Sequence, residues 1–221
     1  MVTRAAVNKR RSSVADLVRR HGEQDVRDLF AAKHPTSQEE FLEALYRVLD
    51  QIIRDLEDDA EVMQHQREDA VSRDIVRQLR RANYRASSDP YVRGHVDILV
   101  ESGDRRMRWL AESKIHRSYR NLEEGLRQLL SRYDSGRDRA GGLLIIFRRA
   151  GCEQILEAWR RRVQDRAIER ARDTEDDSSA RCFVSIHLHD AGGEYRVRHM
   201  GIHLYFAPRD ASARRRAGDE S

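Results

Sequence analysis

The stretch Trp109-Leu110-Ala111-Glu112-Ser113-Lys114-Ile115 puts apolar side chains on both faces of an alternating strand. Strands of that kind lie inside a sheet that is covered on both sides. Gly94-His95-Val96-Asp97-Ile98-Leu99-Val100, a short turn upstream, follows the same rule. Two such strands commit the chain to an α/β or α+β fold, a mixed central sheet flanked by helices.

The rest of the pattern fills in that frame. One or two short helices, interrupted near Gly22, are predicted between residues 13 and 33. Pro35-Thr36-Ser37 opens a stronger helix with Glu39 and Glu40 in its first turn. Phe41, Leu45, Val48, Ile52 and Leu56 form its apolar stripe, and Asp58-Asp59 ends it. A second helix is predicted over 61–84. After the turn cluster Ser87-Ser88-Asp89-Pro90 the period becomes that of strands. These fall at 95–101 and 107–115, joined by a hairpin at Ser102-Gly103-Asp104. A helix at 121–133 follows, then a strand at 143–147 introduced by Gly141-Gly142. A helix from 152 to about 172, a polar loop at 173–179 and strands at 182–189 and 195–206 complete the series. The organisation is a helical N-terminal extension (1–60, with a flexible basic arm at 1–12), a main domain (61–208) and a disordered tail (209–221).

Several classes are set aside by composition. No apolar run approaches the roughly 20 residues of a membrane-spanning helix, and nothing directs the chain out of the cell, so a cytoplasmic protein is expected. Cys152 and Cys182 make neither a metal-ligand spacing nor a disulfide framework. The net charge of +4 permits a nucleic-acid partner without requiring one. Of the 42 basic residues, only Lys9, Lys33 and Lys114 are lysine; the other 39 are arginine. A lysine inside an apolar strand of such a chain calls for a reason.

Three acids and that lysine are the candidates for chemistry. Asp97 interrupts an apolar run, where a carboxylate is costly unless paired, hydrogen-bonded or bound to a cation. It also reads as an aspartate capped by backbone at a strand end. Glu112 and Lys114, two apart, project from one face about 7 Å apart, either as a surface ion pair or as an interior acid–base pair. Glu68 shares a helix face with Ile75 and Leu79, each within about 20° of it; near a helix start it is also a favourable dipole partner.

The ordered set of Glu68 on a helix, Asp97 on a strand and Glu112-Ser113-Lys114 on the next strand resembles the PD-(D/E)XK nuclease superfamily. The resemblance covers about residues 61–206. Leu126-Arg127-Gln128-Leu129 and Tyr133 are similar to the Gln-and-Tyr motif of its RecB-like members. The resemblance implies a restriction-endonuclease-like fold and a Mg²⁺-dependent phosphodiester hydrolase, with Mn²⁺ a possible substitute. Asp97, Glu112, the Ser113 carbonyl and Glu68 would hold metal, Lys114 would orient water, and Gln128 would steady phosphate or water. DNA is the expected substrate, in prokaryotic defence or a mobile element. Cutting both strands calls for a homodimer, and the N-terminal helices are the expected contact, with a second copy or a regulatory protein.

Arg117, Tyr119 and Arg120, just past the lysine strand, are placed to meet a nucleic-acid backbone. His187, His189, His199 and His203 read as half-exposed strand residues in preference to a zinc site. Two rival readings stand beside the nuclease: a non-catalytic nucleic-acid-binding module of the same fold, and a helical interaction protein whose α/β part is only structural.

Overall fold

A computed structural model describes residues 13–133, 139–177, 181–189 and 192–208. The basic arm and the tail lie outside these residues, as does the side chain of Tyr133. Helix α1 (Val14–His21) begins with a capping box, the Ser13 hydroxyl accepting from the Asp16 amide and the Asp16 carboxylate from that of Ser13. Gly22, at φ 85°, turns the chain into α2 (Glu23–Lys33). Ser37 caps α3 (Gln38–Asp58), whose buried stripe is Phe41, Leu45, Leu49, Ile52 and Leu56.

The single helix predicted over 61–84 is two, α4 (Ala60–Met63) and α5 (Glu68–Arg81). Tertiary contacts explain the break. The Arg148 guanidinium donates to the Gln66 carbonyl, and the Gln64 side chain accepts the Phe206 amide at 3.3 Å. The interruption makes Glu68 the first residue of α5.

Seven strands form one mixed sheet among the described residues: β1 (Arg85–Ser88), β2 (Ile98–Glu101), β3 (Arg108–Ile115), β4 (Ala140–Phe147), β5 (Ala171–Asp176), β6 (Cys182–Leu188) and β7 (Glu194–His203). Their order is β1-β2-β3-β4-β7-β6-β5. The central pairs β3–β4 and β4–β7 are parallel, and the others are antiparallel. The mixed α/β class read from the sequence is the observed one. β1 and β5 are the two strands the sequence pattern misses, assigned there to a turn cluster and to a helix end with a polar loop. Both are edge strands, paired along one side, so their sequences have no need to be apolar.

Helix α6 (Tyr119–Arg127) continues into a π-helical turn (Gln128–Tyr133) where a longer α-helix was expected. It connects β3 to β4, and α7 (Cys152–Asp165) follows β4. These helices cover one sheet face, with Leu122, Leu126 and Trp159 against Leu110, Leu143 and Phe147. The other face, with Trp109, Ala111, Leu144 and Ile146, packs against α3 and α5 in a second cluster. Thus α3, which precedes the boundary expected at residue 60, shares a core with the sheet. Gly141 and Gly142 lie inside β4, not before it: a Cβ on Gly142 would collide with the Trp109 indole, and one on Gly141 with the Tyr195 hydroxyl and the Leu110 carbonyl. No helix among the described residues is long and apolar enough to cross a membrane.

Two buried polar groupings brace β7. The Arg198 guanidinium reaches Asp177 (2.7 Å) and Asp50 of α3 (3.0 Å) and lies over the Tyr46 ring. His187 and His199, expected half-exposed, are buried instead. The Trp159 indole N–H donates to His199 Nδ1 (3.1 Å), and the Ser185 hydroxyl lies 2.7 Å from His199 Nε2 and 2.6 Å from His187 Nε2. His187 Nδ1 lies 3.0 Å from the Glu169 carbonyl. One proton arrangement satisfies every atom: His199 donates to Ser185, Ser185 to His187, and His187 to Glu169. Both rings are then neutral.

Burial holds the His187 pKa down to about 4, and burial with the nearby His187 holds that of His199 well below its usual range. Below about pH 6.5 the unfolded chain takes up protons that these folded rings refuse. Stability is therefore full above that pH and falls as pH drops toward 4, by about 1.4 kcal/mol per unit for each ring. We expect His187→Gln to flatten the fall in unfolding free energy, measured by denaturant titration between about pH 6.5 and 4. An unchanged pH slope would refute the neutral network.

Candidate active site

The site is built on a strand that loses one neighbour halfway along. β2 pairs with Arg108 to Ala111 of β3 and goes no further, while β4 accompanies β3 from Leu110 to Ile115. Alternate amides of a strand point to the same edge, so those of Ser113 and Ile115 face the side that β2 has left. Two carboxylates take them. Asp97, just before β2, accepts the Ser113 N–H at 2.7 Å, and Glu68 accepts that of Ile115 at 2.6 Å. The reading of Asp97 as a backbone-capping acid thus describes one of its oxygens. The Ser113 carbonyl points to the same open edge as its amide, and the Ser113 hydroxyl lies 2.9 Å from that of Ser72 on α5.

Glu112 and Lys114 project together from the face that α6 covers. Lys114 Nζ donates to Glu112 Oε1 at 2.5 Å and stands 3.9 Å from Glu68 Oε1. Glu112 is 3% exposed, and its Oε2 is buried with no hydrogen-bond partner among the described residues. Burial, then the charge of Asp97, pushes the Glu112 pKa up to about 7 against the pull of Lys114. Burial also raises that of Asp97, although the Ser113 amide and Lys114 oppose it. For Lys114, burial favours the neutral amine, but Glu112, Glu68 and Asp97 outweigh it and raise the pKa. Three acids therefore surround one ammonium, a balance that favours an added cation.

Among the described residues, no three His, Cys, Asp or Glu side chains are grouped so as to hold a metal ion by themselves. Mg²⁺ commonly takes only one or two carboxylates and keeps several waters. Asp97, the unpartnered Glu112 oxygen and the Ser113 carbonyl are the donors that fit this pattern. Glu68 sits farther along the edge, tied to Ile115.

The sequence pattern missed how α6 meets this row. A Cβ on Gly125 would stand 2.8 Å from Lys114 Cγ and 3.2 Å from Leu143 Cδ1, so only a glycine lets the helix pass over the lysine stem. Asn121 and Gln128, four residues before and three after Gly125, share its helix stripe. Because α6 runs back along β3 toward the start of the parallel β4, this stripe passes His116, then Lys114, then Glu112. His116 Nε2, Asn121 Oδ1 and Gln128 Oε1 are also buried without partners among the described residues. The available signal was Gly125 itself, because a glycine inside a helix costs about 1 kcal/mol and calls for a packing reason.

Of the expected nucleic-acid contacts, Arg117 and Arg120 are exposed. The Tyr119 ring is instead stacked on Trp159 (6.4 Å, 9°) with the Arg162 guanidinium above it. Grooves of about 650 and 410 Å³ lie elsewhere, along the N-terminal helices. No family model, curated protein or solved structure matches the chain.

Gly125→Ala tests the close approach. In the wild-type background we expect it to destabilise the fold, read from the unfolding free energy. In a Lys114→Ala background the same change should stabilise by up to about 1 kcal/mol, the usual helix preference for alanine. Equal effects in the two backgrounds would rule out the contact.

Proposed function

We propose that this protein is a metal-dependent nuclease of the PD-(D/E)XK superfamily, with a restriction-endonuclease-like fold, hydrolysing phosphodiester bonds in DNA. The observation that carries the reading is the buried, unpartnered Glu112 oxygen beside the Lys114 ammonium, with Asp97 and Glu68 at the same strand edge. An orphaned buried carboxylate oxygen is costly and calls for an occupant. The element order supports the reading too. Glu68 opens α5, three antiparallel strands follow with Asp97 just before the second and Glu112-Ser113-Lys114 on the third, and α6 leads to a parallel fourth.

The donor set fits Mg²⁺ or Mn²⁺ held by Asp97, Glu112 and the Ser113 carbonyl, with Glu68 assisting through water. When bound, such an ion neutralises phosphate charge and activates water. The chain's own residues do the rest. Lys114 holds the attacking water by hydrogen bonding and offsets charge that develops on phosphorus oxygens. Its stem passes beneath Gly125, and its compact ammonium, unlike the planar fork of arginine, can give up a proton. Gln128, on the same helix stripe, steadies a phosphate oxygen or the water. Cleavage of both strands takes two copies, for which α1 and α2 offer exposed Val14 and Phe30 around one groove. A cytoplasmic role in prokaryotic defence or a mobile element follows from this reading.

The purified chain should cleave supercoiled, linear or single-stranded DNA with Mg²⁺ and not with chelator. Asp97→Asn, Lys114→Ala and Lys114→Arg should each lower cleavage at least ~100-fold with little change in melting temperature. Chelator-insensitive binding with no cleavage under Mg²⁺ or Mn²⁺ would leave only the binding-module reading. Normal turnover by Lys114→Arg would remove the case for the lone strand lysine.

A further inference from the structure

At the carboxyl ends of the parallel pair β3–β4, His116-Arg117 and Arg148-Arg149 stand side by side. The His116 amide donates to the Ile146 carbonyl at 2.9 Å, extending the ladder one residue past β3. His116 therefore continues the row of Glu112 and Lys114, about 7 Å beyond the lysine. The residue is 8% exposed, and its ring packs against Tyr119 and Phe147.

Arg149 Nη2 lies 3.2 Å from His116 Nδ1. A guanidinium only donates, so Nδ1 must accept, and the imidazole is the neutral tautomer with its proton on Nε2. A neutral acceptor orients the guanidinium without cancelling its charge. Among the described residues no carboxylate pairs with Arg149 or Arg117, although many other arginines of this chain are paired. Arg148 is turned inward to the Gln66 carbonyl, within electrostatic reach of Arg117 and Glu68. The exposed arm at this strand end is thus an oriented, unneutralised guanidinium, held by a histidine that stands one two-residue step, about 7 Å between Cα atoms, beyond Lys114. That step is comparable to the spacing of adjacent phosphates along a nucleic-acid strand.

The geometry points to a phosphate clamp in which Arg149 grips the backbone phosphate next to the scissile one and His116 is its positioning residue. This inference rests on the nuclease reading for its occupant, a nucleic-acid backbone. It does not rest on metal or turnover, so it is tested in chelator.

The full-length protein is titrated onto fluorescent single-stranded and duplex DNA at a series of NaCl concentrations. For Arg149→Gln we expect weaker binding and a log K against log salt slope reduced by about 0.7 (single strand) to 0.9 (duplex), the loss of one phosphate contact. His116→Leu, which removes the Nδ1 acceptor, should reproduce that slope change. His116→Asn, whose side-chain oxygen can replace the acceptor, should restore it. A wild-type slope in Arg149→Gln overturns the clamp. So do matching slopes for His116→Leu and His116→Asn, or no binding by the wild type. Competition by inorganic phosphate as effective as by oligonucleotide overturns the backbone assignment in favour of a free-anion site. A clamp-dependent slope without cleavage under Mg²⁺ or Mn²⁺ would sink the nuclease reading alone. Cleavage abolished by Lys114→Ala, with normal slopes in Arg149→Gln, would sink the clamp alone.

Discussion

Everything in the site follows from the point at which β2 stops accompanying β3. Had β2 kept its register for four more residue pairs, back to Gly94 opposite Ile115, the ladder would have given the Ser113 and Ile115 amides ordinary carbonyl partners. Because the ladder ends at the pair Ile98–Ala111, those amides need acceptors from elsewhere, and an unpaired buried amide costs about 1–3 kcal/mol. Asp97 and Glu68 supply them. Each carboxylate spends one oxygen on backbone and keeps the other for what lies at the edge. The break between α4 and α5 belongs to the same arrangement, since a continuous helix would not put Glu68 in a first turn beside the strand.

On the adjoining face the balance is less favourable, and informatively so. A buried acid and lysine gain from each other's charge, yet desolvation of both can exceed that gain. Among the described residues one glutamate oxygen is left over here, and His116, Asn121 and Gln128 add three more unpartnered atoms along the α6 contact. Two apolar clusters on opposite sheet faces offset such costs. A fold selected only for stability would fill this strip with leucine, as at Leu110 and Leu143 on either side. Its polarity is what the proposed reading requires of a strip that meets a ligand.

The sequence made some of this legible and hid the rest for physical reasons. β3 and β4 sit between two helix layers, so their apolar residues on both faces announced the α/β class and the sheet centre. Strict alternation likewise brought Glu112 and Lys114 to one side. β1 and β5 escaped because an edge strand is held by backbone bonds and can look like a loop. The break at 64–67 depends on Arg148, more than eighty residues away, and helical periodicity carries no trace of it. His187 and His199 alternate like half-exposed residues because the partners that neutralise them, Ser185 and Trp159, are set by pairing and packing. Asp97 was conspicuous as an acid in an apolar run, but its bond to Ser113 depends on where a neighbouring strand ends.

The sheet's polarity then decides which end of the molecule carries charge. β3 and β4 run parallel and finish together, while β2, running the other way, begins opposite Ala111 and leaves the last residues of β3 open along that edge. The same end receives the amino termini of α5 and α6, whose partial positive charge favours acids and anions. Asp97, Glu68, Lys114, His116, Arg117, Arg148 and Arg149 are therefore neighbours by topology, though they span some eighty residues of chain. In open α/β sheets the carboxyl ends of parallel strands, where the covering helices diverge, are the usual place for a ligand. Here that end presents acids along the abandoned edge of β3 and, beyond it, the guanidinium groups of Arg117 and Arg149, which have no carboxylate partner among the described residues. Under the proposed reading the cation belongs at the first and the phosphate backbone at the second, and one ligand pairing the two would satisfy both at once.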